Sequence, residues 1–460
     1  MPIVAGVDSS TQSVKVVLRD ADTGELVAQA SEPHPDGTEV DPKAWEVALE
    51  SALAKVDQYK IDAISIAGQQ HGMVALDKNG EVLRKALLWN DTRSANAAEE
   101  LNREIPDIHI RTGSRLVASF TASKVRWLYD AEPDNANRLA AVALPHDWLS
   151  WRLSSSKNLD SLFTDRSDAS GTGYFNPETN TYDLEIMAKV RNGKSAFLAP
   201  RVLKPNEFGG ETTSGVPIAA GAGDNAGAAL GLGAKVGDLV ISLGTSGTAF
   251  AVSANPTKDP TGEVAGFADA TGNFLPLACT LNAAKVFASI AKMLNISLDE
   301  FSELALSAKS GAGGIRLLPH FDGERTPNRP NARGNFSGIT SENLTRENLA
   351  RAAIEGVVAG MVYAANSLKR EGFLPMRILL IGGAAKSLAV QEITAEMFTS
   401  VIHLPDAGEY VADGAARQAA WALSGKNEIP NWQHGNLKSI QPKSGEKELV
   451  ENYLELISNA

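Results

Sequence analysis

Leu239-Val240-Ile241-Ser242-Leu243-Gly244-Thr245-Ser246-Gly247-Thr248 runs from an apolar segment into a turn of glycine and hydroxyl residues, and a second strand-like stretch continues to Val252. A short apolar run bounded by glycine predicts a buried strand. The turn leaves backbone N–H groups and hydroxyls available to phosphate oxygens. The chain opens on the same layout: Ile3 to Val7 is apolar, Asp8-Ser9-Ser10-Thr11-Gln12-Ser13 is polar, and Val14 to Leu18 alternates. Strand, hydroxyl-lined turn and strand, met twice, predict a duplicated core with one phosphate-contacting hairpin in each half. Taken singly, each copy is also served by an ordinary hairpin, and the Asp8 turn more readily by an Asx turn that merely closes it.

Working outward, Glu25 to Ala30 adds a third strand to the opening meander, and Asp41-Pro42 introduces a helix over Trp45 to Val56. Ile61 to Ala67 reads as a buried strand running into Gly68-Gln69-Gln70-His71-Gly72. Strands and helices alternate to about residue 215, which sets the class as α/β, and the pattern restarts near Val216. Arg346 to Glu371 and Leu388 to Phe398 are helices flanking a strand over Arg377 to Ile381. Asn427 to Ser444 is polar and irregular, and Glu446 to Leu456 is an amphipathic helix. The predicted domains are residues 1–216 and 217–439, with a closing helix within 440–460 packing back on the first half. No low-complexity linker separates the halves, so they share a closely packed cleft.

Net charge is -12 with no basic tract, which argues against nucleic acid or an anionic membrane as partner. No apolar run is long enough to span a bilayer. The start Met1-Pro2-Ile3-Val4-Ala5-Gly6-Val7 has no charged leader, and the single Cys279 suits a reducing compartment, so a cytoplasmic location is expected. A homodimer is compatible with this composition. There is no GxxxxGK[ST] and no correctly spaced GxGxxG, which excludes a P-loop and gives a dinucleotide fold little support. The seven histidines lack HExxH-type spacing, which speaks against a tightly held transition metal.

Asp224 lies in Gly221-Ala222-Gly223-Asp224-Asn225-Ala226-Gly227. A carboxylate among such small residues is costly to desolvate without a partner or a task. It is either a helix N-cap or an acid placed for chemistry. Asp8, at the end of a buried strand beside Ser10, Thr11 and Ser13, can position magnesium through water, while Lys15 reads as a solvated strand residue. Gly382-Gly383-Ala384-Ala385 joins strand to helix closely enough for a base or ribose to lie on the backbone. Gln69-Gln70-His71-Gly72 and Trp89-Asn90-Asp91-Thr92-Arg93 offer hydrogen-bonding groups suited to a polyol. Leu318 to Pro327 reads as a rigid loop with an internal Glu324–Arg325 pair.

In this order, Gly6-Val7-Asp8, Ile66 to Gly72, Leu88 to Asp91, Phe120 to Trp127 and Pro145-His146-Asp147-Trp148-Leu149 resemble the FGGY family of carbohydrate kinases. Ser167 to Thr172, Gly223-Asp224-Asn225, Ser242 to Gly247, Gly323 to Pro327 and Ile381 to Ala384 extend the resemblance over nearly the whole chain. It implies two actin-like, ribonuclease-H-like ATPase domains with ATP and sugar meeting in a central interdomain cleft. It further implies Asp224 as general base, Asp8 as the residue placing magnesium and the γ-phosphate, and both as magnesium-holding through water. Thr11, Gly244, Thr245 and Ser246 match positions near the phosphates, and Gly382, Gly383 and Ala384 the nucleotide loop. Gln70, His71 and Asn225 match sugar-contacting positions. The Gln-x-His-Gly turn points to the branch that phosphorylates the terminal hydroxyl of D-xylulose. Ribulose, ribitol or gluconate as acceptor, or a non-catalytic sugar- and ATP-binding regulator, are the alternatives. The chain departs from the family where Ser10 replaces a glycine, where Ala384 replaces the third glycine of the nucleotide loop, and in lacking an aromatic before Asp41-Pro42.

Overall fold

The computed structural model describes residues 1–432, 435, 437–442 and 447–459. Glu446 and parts of the polar stretch Asn427 to Ser444 lie outside the described residues.

Among the described residues, each half is built on a seven-stranded mixed sheet. The first begins with the meander β1 (Ile3–Ser9), β2 (Ser13–Asp20) and β3 (Leu26–Pro33). To it are added β4 (Ala63–Gly68), β5 (Phe208–Glu211), β6 (Pro217–Ala219) and the short β7 (Ala222–Gly223). β1 and β4 are parallel, with Val7 opposite Ile66, so a crossover must join them. Helix α1 (Pro42–Ala54) supplies it: Asp41 caps its N-terminus by accepting from Lys43 N, and Trp45, Leu49 and Ala52 are buried on the sheet. Burying a side chain such as Leu49 stabilises the fold by about 1.5–3 kcal/mol.

The second half repeats the plan. β8 (Asp238–Leu243), β9 (Gly247–Ala251) and β11 (Phe274–Thr280) form the meander, and β10 (Ala265–Ala268) lies at its outer edge. β12 (Arg377–Ile381) runs parallel to β8 and is followed by helix α5 (Leu388–Phe398), then come β13 (Ile402–Leu404) and β14 (Lys438–Ile440). β1–β2 and β8–β9 therefore occupy equivalent places, as the duplicated hairpin predicts. β14 is a correction within the stretch read as irregular: it pairs with β13, with Ile440 opposite Ile402.

The boundary expected at 216/217 moves toward the C-terminus. β6 and β7 both pair with β4, Ile218 opposite Ile64 and Gly223 opposite Gly68, so the first sheet claims them. The helix at the C-terminus also corrects the expectation. α7 (Lys447–Asn459) packs on the second half, where Tyr453 is buried beside the long helix α4 (Arg346–Arg370) and its hydroxyl meets His320 Nε2 at 3.2 Å. An apolar strip is satisfied by whichever core it reaches, and a sequence does not say which.

Two helices carry the junction of the lobes. α3 (Asp224–Gly231) leaves the first sheet, and α6 (Tyr410–Ser424) comes from the second lobe yet lies across β1, β4 and α3. They touch backbone to backbone: a Cβ at Gly414 would lie 1.9 Å from Gly227 O. Arg19 on β2 pairs with Asp413 of α6 at 2.6 Å.

Candidate active site

Both hairpin turns open on one cleft of about 1110 Å³ between the lobes, where Asp8, Gln70, His71 and Asp224 face Ser246 and Gly383. Asp8 is the penultimate residue of β1, whose buried run ends at Ser9, and its Oδ1 accepts from Ser10 Oγ. Burial pushes its pKa up to about 6, against the pull of Ser10 and Lys15. Ser10 does not adopt the left-handed backbone, so the family's glycine is replaced here without strain.

Asp224 is the first residue of α3, with Gly223 in the cap position. Its Oδ1 accepts from Asn225 N at 2.7 Å and Asn225 Nδ2 at 2.8 Å, so Asn225 aims the carboxylate. Part of its surface opens to the cleft, yet burial, followed by the charge of Asp8, pushes it up to about 7. A carboxylate tuned near neutrality suits a general base. Asp8 and Asp224 repel one another, and a hard divalent cation with oxygen ligands fits such a pair.

The sugar-facing turn is fixed by buried groups. His71 has φ 67°, unusual for a residue with a Cβ. Its carbonyl accepts from Thr121 Oγ1 at 3.2 Å and from Lys124 Nζ at 2.9 Å. Both donors lie on α2 (Thr121–Ala131), and Lys124 is fully buried. His71 Nδ1 lies 2.6 Å from Gly171 O. A carbonyl only accepts, so Nδ1 carries the proton and Nε2 is left as an acceptor. Burial, then the charges of Lys124 and Arg325, pull His71 down to about 3, so its ring is neutral. It packs between Phe120 of the first lobe and Phe267 of the second, with centroids 4.8 and 5.5 Å away. Gln70 Nε2 donates to Ser167 O at 3.3 Å.

On the opposite wall, Gly244 N donates to Ser246 O at 3.0 Å, while the amides of Thr245 and Ser246 donate to no described residue. Successive free amides of this kind form an anion nest. Gly382 has φ 95°, and a Cβ there would lie 2.5 Å from Leu243 O. The turn Gly383–Lys386 is a 3₁₀ helix, and Gly383, Ala385 and Lys386 line the cleft.

Not every expected residue reaches the wall. Gly244, Ser246, Gly382 and Gly383 do, whereas Thr245 and Ala384 stand off it. Thr11 lines the cleft, but its hydroxyl accepts from Trp89 Nε1 at 2.9 Å and donates to Gln69 Oε1 at 3.4 Å. Its backbone amide is what remains for a ligand, since it donates to no described residue. Lys15 is no free surface residue: it lines the cleft and pairs across the lobes with Glu409 at 2.5 Å. Glu324 does not pair with the Arg325 side chain. Its carboxylate accepts from Leu281 N at 2.5 Å, Arg325 N at 2.8 Å and Asn282 Nδ2 at 2.9 Å.

Beneath the loop that carries Asp224 lies a buried cluster the sequence reading did not single out. His146 Nε2 is 3.2 Å from Asp147 Oδ1, 3.2 Å from Asp168 Oδ2 and 3.5 Å from Asp165 Oδ1. Burial opposes its charge, but Asp147, Asp168 and Asp165 outweigh burial and lift His146 to about 9. It is an imidazolium under three acids. Pro145-His146-Asp147 and the Asp165 to Asp168 run held the signal, visible only as acids and a histidine at separate places.

Comparison with known proteins gives this cleft a lineage. Residues 3–231 match the N-terminal domain of the FGGY family of carbohydrate kinases and residues 239–423 its C-terminal domain. A xylulose kinase of Streptomyces coelicolor is 43% identical over 93% of this chain and 89% of its own length. One from Escherichia coli is 33% identical over 91% and 90%. The crystal structure of xylulose kinase from Bifidobacterium adolescentis superposes with a TM-score of 0.90 at 42% identity, covering 99% of both chains. With a buried acid on the first hairpin, a second at the lobe junction and amide-rich turns opposite, this chain belongs to the FGGY family of carbohydrate kinases, which use ATP to phosphorylate small sugars.

Proposed function

We propose that the chain transfers the γ-phosphoryl group of ATP to the terminal hydroxyl of D-xylulose, giving D-xylulose 5-phosphate and ADP. The observation that carries this is Asp224, held by Asn225 and pushed up to about 7 between the His71 turn and the amide nest of Thr245 and Ser246. The xylulose kinases similar to this chain support the choice of sugar.

In this reading Asp224 removes the proton of the attacking hydroxyl, and His71 Nε2, Gln70 and Asn225 orient the sugar. The turns at Gly244–Ser246 and Gly382–Gly383 hold the phosphates and nucleoside. Phosphoryl transfer asks mainly for positioning and charge stabilisation, which such turns supply without a covalent intermediate. Asp8 and Asp224 would hold magnesium through water, and bound magnesium would neutralise phosphate charge. One chain furnishes all of these groups, so no second copy is needed to complete the site. A single, buried cysteine accords with a reducing cytoplasm.

The test is sugar-dependent ADP release over D-xylulose, ribulose, ribitol, gluconate and glycerol. The proposal expects the highest kcat/KM with D-xylulose; a tenfold preference for another acceptor overturns the sugar, and nucleotide binding without sugar-stimulated release overturns the kinase.

A further inference from the structure

The base and the sugar-orienting side chains reach the cleft from two segments: Asp224 from the start of α3, Gln70 and His71 from the turn after β4. One short helical turn, Arg166–Ser170, joins both segments from behind. Gly223, the residue before Asp224, donates its N–H to Ser167 Oγ at 3.0 Å. The carbonyl of the same serine accepts from Gln70 Nε2 at 3.3 Å. Gly171 O, at the end of the turn, accepts from His71 Nδ1 at 2.6 Å. A Cβ at Gly223 would lie 2.7 Å from Gln70 Nε2, so the two segments touch, and the fully buried Ser167 bonds both sides of that contact.

The turn is itself held on two sides. Asp165 caps it, accepting from Ser167 N at 2.7 Å and Asp168 N at 2.9 Å. Below it, His146 Nε2 lies 3.5 Å from Asp165 Oδ1 and 3.2 Å from Asp168 Oδ2. The same ring backs the Asp224 loop, where a Cβ at Gly221 would lie 2.6 Å from His146 Nδ1. From the second lobe, Ala268 N of β10 donates to Ser170 Oγ at 3.1 Å, and that hydroxyl donates to Ser167 O at 2.6 Å. A buried network of this kind rigidifies what it holds, and a site is only as exact as the groups behind it.

We infer that Ser167 is a positioning residue for phosphoryl transfer, setting the separation between the carboxylate that takes the proton and the side chains that orient the sugar. This rests on the sugar-kinase reading above. Ser167 acts through Gly223 and Gln70. Without its hydroxyl the buried N–H of Gly223 loses its acceptor, and the residue that follows is Asp224. A shift of about 1 Å at such a group is enough to cost about 100-fold in rate. The carbonyl that holds Gln70 belongs to the backbone and survives the substitution, so the loss falls on the base rather than on sugar binding.

The experiment measures steady-state kinetics of wild type, Ser167→Ala, Ser167→Thr, Asp224→Asn and the double variant Ser167→Ala/Asp224→Asn, with ATP and whichever sugar the wild type turns over fastest. Ser167→Ala should lower kcat about 10- to 100-fold while the KM for sugar and for ATP stay within about threefold. Ser167→Thr keeps the hydroxyl oxygen and should recover most of kcat. With Asp224 already replaced, the same Ser167→Ala change should cost less than about threefold, because the group it positions is gone. An unchanged kcat, an equal loss with and without Asp224, or a loss expressed in the KM for ATP overturns the inference while leaving the kinase reading intact. A wild type without sugar-stimulated ADP release defeats the kinase reading instead, and with it this inference. Should Ser167→Ala fold poorly by circular dichroism, Ser167→Cys, close in shape and a weak acceptor, provides the same contrast.

Discussion

Replacing Asp224 by asparagine separates chemistry from stability, because the burial that tunes this base also costs the fold. Its pKa rises from 3.8 to about 7. At about 1.36 kcal/mol per unit, keeping the carboxylate ionised at pH 8 costs up to about 4 kcal/mol. Its opening to the cleft lets water screen it, which brings the cost to about 2–3 kcal/mol. The sign follows from a folded pKa above the unfolded one. Stability tied to the protonated carboxyl is complete below about pH 4 and is lost as pH rises through 7. Asp224→Asn carries no charge at either end, so its advantage over wild type should widen from pH 5 to pH 8. At about 2–4 °C per kcal/mol for lobes of this size, the variant should melt several degrees higher at pH 8. Its turnover should fall about 100- to 10,000-fold, the scale of general-base loss. Wild-type kcat/KM should itself decline below about pH 7, as the base gains its proton. Calorimetry in EDTA and ADP release with magnesium read the two effects. A variant turning over within tenfold of wild type, or a melting difference equal at pH 5 and pH 8, refutes the assignment of Asp224 as a strained, buried base.

Gly382→Ala should destabilise the protein by about 1–3 kcal/mol and raise the KM for ATP, since φ 95° and a 2.5 Å contact with Leu243 O both oppose a Cβ. Gly383→Ala, with no protein atom within 4 Å of its Cβ, should leave stability within error; thermal melts of the two variants and an ATP titration of Gly382→Ala check the pair. His71→Ala should raise the sugar KM about tenfold or more through loss of the Nε2 acceptor, leaving the KM for ATP unchanged. Because His71 is pulled down to about 3, wild type and His71→Ala should share one pH profile between 5.5 and 9; a limb present only in wild type would contradict a neutral ring. Lys124→Met removes one of the two donors that hold the His71 carbonyl, and should raise the sugar KM far more than the ATP KM. Equal loss of both in sugar and ATP titrations would mean that Lys124 supports the lobe rather than the turn.

How much of this was legible depended on whether a residue acts through its neighbours in sequence. The meander, both hairpins, and the exact spans Arg377–Ile381 and Leu388–Phe398 follow from local periodicity and turn residues. The final helix was visible but its partner was not, since Tyr453 finds His320 and α4 only through tertiary packing. The domain boundary slipped for a similar reason: β6 is three residues long and is a strand because β4 lies beside it. At the site, Asp8 and Asp224 were read from their surroundings and the family resemblance. The glycines around Asp224 make room for neighbouring side chains. A Cβ at Gly221 would lie 2.6 Å from His146 Nδ1, and one at Gly223 2.7 Å from Gln70 Nε2. Lys124 escaped because it acts on the His71 carbonyl 53 residues away, and the His146 cluster because Asp165 and Asp168 come from a separate segment.

The duplicated hairpin explains why the unfavourable groups gather where they do. Each sheet ends its central strand on a polar turn, and α3 and α6 press the two sheets together at their glycines, so both turns are forced to face one cleft. That geometry sets Asp8 near Asp224 and leaves the amides of Thr245 and Ser246 without protein acceptors. Carboxylates that repel and amides that lack acceptors are each costly in the free protein, and a nucleoside triphosphate with its magnesium relieves both at once. Ligand binding should therefore stabilise the two lobes together, because the charges that oppose folding are the charges the ligand matches.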